Sequence, residues 1–526
     1  MRIKEKLQHI IKNSLKTLEI EKKLNEIIIE TSKENNSDYY TNIAIILSKD
    51  LHKKPEEIAD ILKNEIKDEI IEKIEITYPG IINIYLNRKN VLNGISEIIE
   101  KNINYGKSNI GESRKINIDF INKEFTQKLT KENIHNAIYI DNLSRILKFN
   151  GFDVEKELYI NDTSEELETL SNITKQRYNN LCNSYNNMTL NNDTYSDIRD
   201  TAYMIYSLYN DNKKNEEIDY FKKEEITVSL DKRKRELDKY RINFNIYTNE
   251  QNLYDKGLVD FVLDNLNKKG YTYFNQEELW LKTTEYNDVK DRVLIKENGT
   301  YTYILPELAY YIDKLNRKYD GIISVYNSYE KEEKKPLKLI LNMLEKDINK
   351  IEIKVLPDIK IIKEEKEVED INIIDELSIN DIRYLFALQK ENETIEINLD
   401  TKDNTNSIMY IENANIIIHK ILSNYKKKIT KVNNFSTLDS ELAYIILNKL
   451  YEFEDIVIKA CLKQMPHLIC DYLYELVNLF NEYYKKEQII TEDEVYTNER
   501  LNLLLAIKIV INNAFNLIGI IPREEM

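Results

Sequence analysis

The side chains best placed to do chemistry lie in a polar connection, residues 122–135, between two patterned runs. Before it, Ile116 to Ile121 alternates like a β-strand. After it, Ile134, Ala137, Ile138, Leu143, Ile146 and Leu147 recur at near-helical spacing until Gly151, a helix-terminating residue. A second strand-like run, Phe152 to Ile160, comes next. Strand, helix, strand in this order predicts a parallel pair with a right-handed crossover. In an open parallel sheet the ligand site lies past the carboxyl end of the first strand, where helix-terminal N–H groups can face a phosphate. The connection contains neither Gly nor Pro. Other reactive patterns are missing: Cys182, Cys461, Cys470 and the five histidines form no CxxC or HExxH spacing, so no metal site or disulfide is expected. Free thiols fit a reducing cytosol.

The chain that must position this connection has 526 residues, room for three or four domains at ~150 residues each. Charged residues make up 32% and hydrophobics 42%, with Gly and Pro scarce, which suits a soluble, helix-rich protein. The abundance of Ile, Asn, Lys and Tyr reads as the codon bias of an A/T-rich genome, so the 37 tyrosines carry no base-stacking signal. A net charge of −16 argues against indiscriminate nucleic-acid binding, DNA included, while leaving room for a local basic face. No apolar run approaches the ~20 residues of a membrane span, and the opening RIKEKLQHIIKNSLKTL is charged and amphipathic, unlike a signal peptide. A cytoplasmic protein is expected.

Three stretches follow from the patterning. Residues 1–105 carry helical patterns at Ile3 to Leu18 and Ile43 to Leu51, a third opening at Pro55, and strands Ile71 to Ile76 and Ile81 to Leu86 joined by Tyr-Pro-Gly. Residues 106–371 hold the sheet, interrupted at about 163–240 by a polar helical insertion with an Asn-rich link at Asn183 to Asn192. Asn298-Gly299 is a hairpin signal. Residues 372–526 are read as nearly all helical, with Leu468, Tyr472, Leu476, Leu479 and Tyr483 on one core-facing stripe. The expected fold class is α/β plus all-α: an N-terminal α+β domain, a Rossmann-like domain with a helical insertion, and a C-terminal helical bundle.

Several stretches match one family in order. They are SDYYTNIAIILSKDLHKKPEEIADIL with IEKIEITYPGIINIYLN, then Ile118-Asp119-Phe120, Asp141 and Gly151-Phe152-Asp153-Val154, then ELWLKTTEYNDVKDRVLIKENGTYTYILPELAYYIDKL, and finally HLICDYLYELVNLFNEYYKK and ERLNLLLAIKIVINNAFNLIGIIPREEM. Together they resemble arginyl-tRNA synthetases, class I enzymes, over the whole chain. The resemblance implies a tRNA-elbow domain, with Asn83 where the family contacts the D-loop, or simply as a polar strand residue. It implies an arginine pocket at Tyr303 and Glu307, the latter replacing an Asp; the other reading of Glu307 is an acid complementing a helix N-terminus. Asp291 and Arg292 match as scaffold and His467 as a packing or capping residue. The anticodon side is assigned Arg500 and Met526. At the nucleotide elements the match departs. The family's HVGH falls on Thr130-Lys131-Glu132-Asn133 and its Asn-Pro-Thr-Gly on Glu124-Phe125-Thr126-Gln127. GADHHG falls on Asn327 to Glu332, and the mobile KMSK loop on Ile359 to Lys363, where Lys360 and Lys363 survive.

Loss of one preorganised transition-state donor costs about 3–4 kcal/mol, and Glu132 sets a carboxylate where the family's glycine admits adenine. The sequence reading is therefore an arginyl-tRNA synthetase-like protein, catalytically degenerate but retaining its tRNA-binding modules. The alternative is an active arginine–tRNA ligase using arginine, ATP with magnesium, and tRNA; a third is a structural or regulatory subunit. No permanently bound cofactor is expected. The expected partners are an arginine tRNA and arginine, with no membrane and no DNA, in a monomer.

Overall fold

The computed structural model describes residues 3–31, 37–122, 128–183, 196–368, 372–390, 393–400, 403–432 and 434–525. At its centre is a five-stranded parallel sheet in the order Ile351–Leu356, Gly321–Asn327, Lys115–Asn122, Asp153–Ile160, Ile246–Asn249. Both faces of its inner strands are covered: Ile118, Phe120, Leu158 and Val325 are buried on one face, while the other buries Ile322 together with the polar side chains of Asn117, Asp119, Glu157 and Ser324. From Lys115–Asn122 the chain first builds outward to one side, then returns to add Gly321–Asn327 on the other. Strand order thus reverses between these two neighbours, and the crevice past their carboxyl ends is where such a sheet takes a ligand.

The crossover helix, Lys131–Phe149, leads away from that crevice. Its N-cap is Thr130, whose hydroxyl accepts from the Asn133 N–H at 3.2 Å, a contact worth about 1 kcal/mol. The sheet covers one side of the helix, and helices Ile379–Ala387, Glu441–Lys463 and Glu494–Leu517 cover the other. Its polar residues Asn133, His135, Asn136, Asp141, Asn142 and Ser144 are consequently buried and need partners inside the protein. The helix ends at Gly151, which takes φ +84°; a Cβ there would sit 2.5 Å from Asn109 Oδ1.

Around this core the expected three-part arrangement is present. The N-terminal part is a four-stranded antiparallel sheet, containing Tyr39–Thr41, Ile81–Leu86 and Ile71–Thr77, with helices Ile3–Leu15, Ile43–Leu51 and Pro55–Glu65. Pro55 opens its helix as the sequence suggests. The insertion is three helices, Glu165–Cys182, Ser196–Tyr209 and Ile218–Lys239, with a small core of its own built on Tyr178, Ile205 and Phe221. Most of its Asn-rich link lies outside the described residues. The C-terminal part packs Asp403–Asn424, Glu441–Lys463, His467–Lys486 and Glu494–Leu517, with Tyr472, Leu476 and Tyr483 of the stripe buried. Among the described residues no helix is long and apolar enough to cross a membrane.

One local expectation changes. At Asn298-Gly299 the turn forms, with Lys296 N–H donating to Thr300 O at 2.9 Å, but its second arm is a single bridge between Ile295 and Tyr301. Helix Ile304–Asn316 starts too soon for a strand to extend. Beyond residue 372 the described chain is nearly all helical as expected, with one short strand, Ile395–Asn398, paired in parallel with Ile359–Lys363.

Candidate active site

Lys131, Glu132 and Asn133 occupy the first turn of the crossover helix rather than the connection before it, because the Thr130 cap starts the helix early. Lys131 Nζ lies 3.8 Å from Glu132 Oε1. Glu132 thus stands at the positive end of the helix dipole, where it stabilises the helix and opposes an incoming anion. The positions matched to Asn-Pro-Thr-Gly, Glu124 to Gln127, lie outside the described residues.

One turn further, His135 is buried with its ring 5.2 Å from that of Phe386, edge to face. Burial pushes its imidazole down to about 3, so it is neutral at physiological pH and offers no cation to a phosphate. Asn136 Nδ2 donates to Asn327 Oδ1 at 2.8 Å, tying the crossover helix to the end of the neighbouring strand. Asn327 Nδ2 donates to the Tyr329 hydroxyl at 2.6 Å, and Asn327 N–H to Glu330 Oε2 at 3.2 Å. The structure therefore brings residues 130–136 and 327–330 together across the crevice.

Glu307 is buried in the first turn of Ile304–Asn316. Lys334 Nζ donates to both of its carboxylate oxygens, at 2.8 and 2.6 Å, and the Tyr326 hydroxyl donates at 2.6 Å. Lys334 Nζ also lies 5.1 Å from the centre of the Tyr303 ring and 4.7 Å from that of Tyr326. The two expected pocket residues do meet, around a lysine that the sequence reading passed over. In the run KEEKKP a lysine looks solvated; only its register with Leu337 and Leu341, on the buried side of Lys331–Met343, marks Lys334 as interior.

Asp291 accepts from Thr284 N–H at 2.9 Å, Thr284 Oγ1 at 2.7 Å and the Tyr273 hydroxyl at 3.0 Å. Arg292 grips Asp288 at 2.8 and 3.0 Å, so both act as scaffold. The mobile loop expected at Ile359 to Lys363 is instead a strand. Ile359 and Ile361 alternate into the core, Lys360 faces solvent, and Lys363 Nζ is 2.6 Å from Glu376 Oε1. Asn83 and Arg500 are turned inward. Asn83 Nδ2 donates to Thr77 Oγ1 at 3.1 Å and its Oδ1 accepts from Ser37 at 3.4 Å. The Arg500 guanidinium donates to Thr437 O at 3.2 and 3.3 Å and lies 3.1 Å from the centre of the Tyr496 ring. Met526 lies outside the described residues.

Deeper in the crossover helix, Asp141 is bound by Lys156 at 2.6 Å, Arg383 at 2.6 Å and Arg145 at 2.7 Å. Burial alone would raise its pKa, but these three cations more than offset it and hold the carboxyl well below the usual range.

Strand order, crossover helix and appended helical bundle define a class I aminoacyl-tRNA synthetase fold. The Thermus thermophilus arginyl-tRNA synthetase superposes with TM-score 0.74 at 15% identity, covering 100% of both chains. The methionyl-tRNA synthetase of Mycobacterium tuberculosis does so with TM-score 0.53 at 10% identity, over 77% of this chain and 91% of that one. Within the class, residues 5–86 match the arginyl tRNA synthetase N terminal domain, residues 94–354 the class I (R) tRNA synthetase catalytic domain, and residues 413–526 the DALR anticodon binding domain. Curated relatives include the arginine–tRNA ligases of Bacillus subtilis, 29% identical over 100% of both chains, and Geobacillus thermodenitrificans, 29% identical over 96% of this chain and 95% of that one. The chain belongs to the arginyl-tRNA synthetase family.

Proposed function

We propose that the chain is an arginine–tRNA ligase of the cytosol, working as a monomer on an arginine tRNA. The observation that carries this reading is the crevice at the strand-order reversal, with residues 130–136 and 327–330 joined across it, in a chain that covers its ligase relatives from end to end. ATP enters as substrate with magnesium on its phosphates. The arginine α-carboxylate attacks the α-phosphate and pyrophosphate leaves; the terminal ribose hydroxyl of tRNA then attacks the acyl carbon and AMP leaves. Tyr303 and Glu307 are assigned the arginine side chain, since a carboxylate pairs strongly with a guanidinium. Thr130 and Asn133 are assigned the nucleotide as hydrogen-bond partners, with Lys360 and Lys363 on its phosphate side. Asn83 and Arg500, from their inward contacts, hold the shape of the surfaces that meet tRNA.

A second reading is favoured by two specific observations, the Glu132 carboxylate at the helix start and the Lys334 ammonium already on Glu307. In that reading the chain binds tRNA without charging it. Arginine-dependent ATP–pyrophosphate exchange, measured with and without tRNA, separates the two. Exchange establishes the ligase. No exchange with a retained gel shift of arginine tRNA establishes the silent binder, and loss of both leaves a structural or regulatory role.

A further inference from the structure

The ammonium of Lys334 does inside the protein what a cationic substrate would have to do from outside. It sits on both oxygens of Glu307 at 2.6 and 2.8 Å, 5.1 Å from the centre of the Tyr303 ring, and is itself buried. The Tyr326 hydroxyl, held at 2.9 Å by that of Tyr311, takes a further lone pair of Glu307. A guanidinium approaching along Tyr303 therefore meets a carboxylate whose charge is already neutralised and whose lone pairs are largely engaged.

Resting on the assignment of Tyr303 and Glu307 to the arginine side chain, we propose that Lys334 is a built-in competitor for that subsite and its specificity-determining residue. Arginine binds only by displacing the Lys334 ammonium from Glu307, and a fully buried ammonium leaves a carboxylate reluctantly because it must find water or another anion. The nearest other carboxylate is Glu330, whose Oε1 lies 3.9 Å from Lys334 Nζ and which shares the helix start at residues 330–334. Lys334 thus has a second seat one helical turn back. With the lysine on Glu307 the subsite discriminates poorly between a cationic side chain and its neutral isostere; with it removed, the site becomes selective for the cation.

Equilibrium dialysis of the full chain against L-arginine and L-citrulline tests this without requiring catalysis. K334M is expected to bind arginine at least tenfold more tightly than the unaltered chain and to prefer it to citrulline at least tenfold, while the double variant E307Q/K334M loses that preference. K334Q, which keeps an amide donor for Glu307, answers the same question if K334M melts too early to assay. Arginine binding to the unaltered chain as tight as to the variants overturns the competitor and leaves the ligase reading standing. Folded variants that bind no arginine overturn it too, and with it the placing of arginine at Tyr303 and Glu307.

Discussion

An imidazole buried without an anion loses the hydration of its charged form, and His135 is in that position beside Phe386. With the folded-state value near 3 and the unfolded one near 6.5, the unfolded chain binds the proton more readily throughout that interval. The contribution of His135 is therefore fully present above about pH 6.5 and falls away as the pH drops toward 3. At pH 5 the loss amounts to about 2 kcal/mol. His135→Leu should remove this dependence. Between pH 7 and pH 5 the stability of the variant, from urea denaturation followed by far-ultraviolet circular dichroism, should fall by about 2 kcal/mol less than that of the unaltered chain. An equal fall in both would place a charged partner beside the ring. Nothing in the run ENIHNAIYI marks this histidine as buried, because the helix around it is polar on several faces and is enclosed by elements remote in sequence. Lys334 escaped notice for the same reason: its partner Glu307 is 27 residues away on another helix.

At the scale of elements, the crossover helix depends on the way it stops. Gly151 combines φ +84° with a packed neighbour, Asn109 Oδ1, where a side chain would begin. Gly151→Ala combines the left-handed penalty of about 1–2 kcal/mol with that clash, so destabilisation of at least about 2 kcal/mol is expected in a denaturant titration. A smaller effect would mean that the Asn109 loop yields. Backbone signals were legible, since Gly151, which stops one helix, and Pro55, which opens another, act through their own backbones. The starting turn was less so: Thr130 lies in a polar run with no capping-box Glu or Gln three residues on, and the reading carried the connection as far as residue 135. At Ile359 to Lys363 the family resemblance pointed to a mobile loop, but the stretch forms a strand because Ile359 and Ile361 reach the core. The parallel strand order was recoverable only in outline, since strands at residues 115 and 321 pair without any local signal.

Across the whole molecule, a buried guanidinium helps join the central parallel sheet to the C-terminal helices. Arg383, from Ile379–Ala387, donates to Asp141 Oδ2 at 2.6 Å and Asn142 Oδ1 at 2.8 Å on the crossover helix. It also donates to Tyr240 O at 2.8 Å, where the insertion rejoins the sheet, and to Ile518 O at 3.0 Å, where the last helix ends. The next residue, Gly519, has no room for a Cβ, which would fall 1.9 Å from Arg383 Nη2. Four segments far apart in the chain thus share one planar donor, a geometry that lysine cannot reproduce. Removing it leaves Asp141 buried with less charge compensation, and breaking such a pair typically costs about 3–5 kcal/mol. Arg383→Met should accordingly destabilise the molecule by that amount, and hydrogen exchange should show where. Amides of Lys131–Phe149 and of the last turn of Glu494–Leu517 should lose protection, while the antiparallel strands Ile71–Thr77 and Ile81–Leu86, which pack on other helices, should keep theirs. If Arg383→Lys retained full protection in both helices, charge alone would suffice and the shared planar geometry would not be what couples the crevice to the bundle.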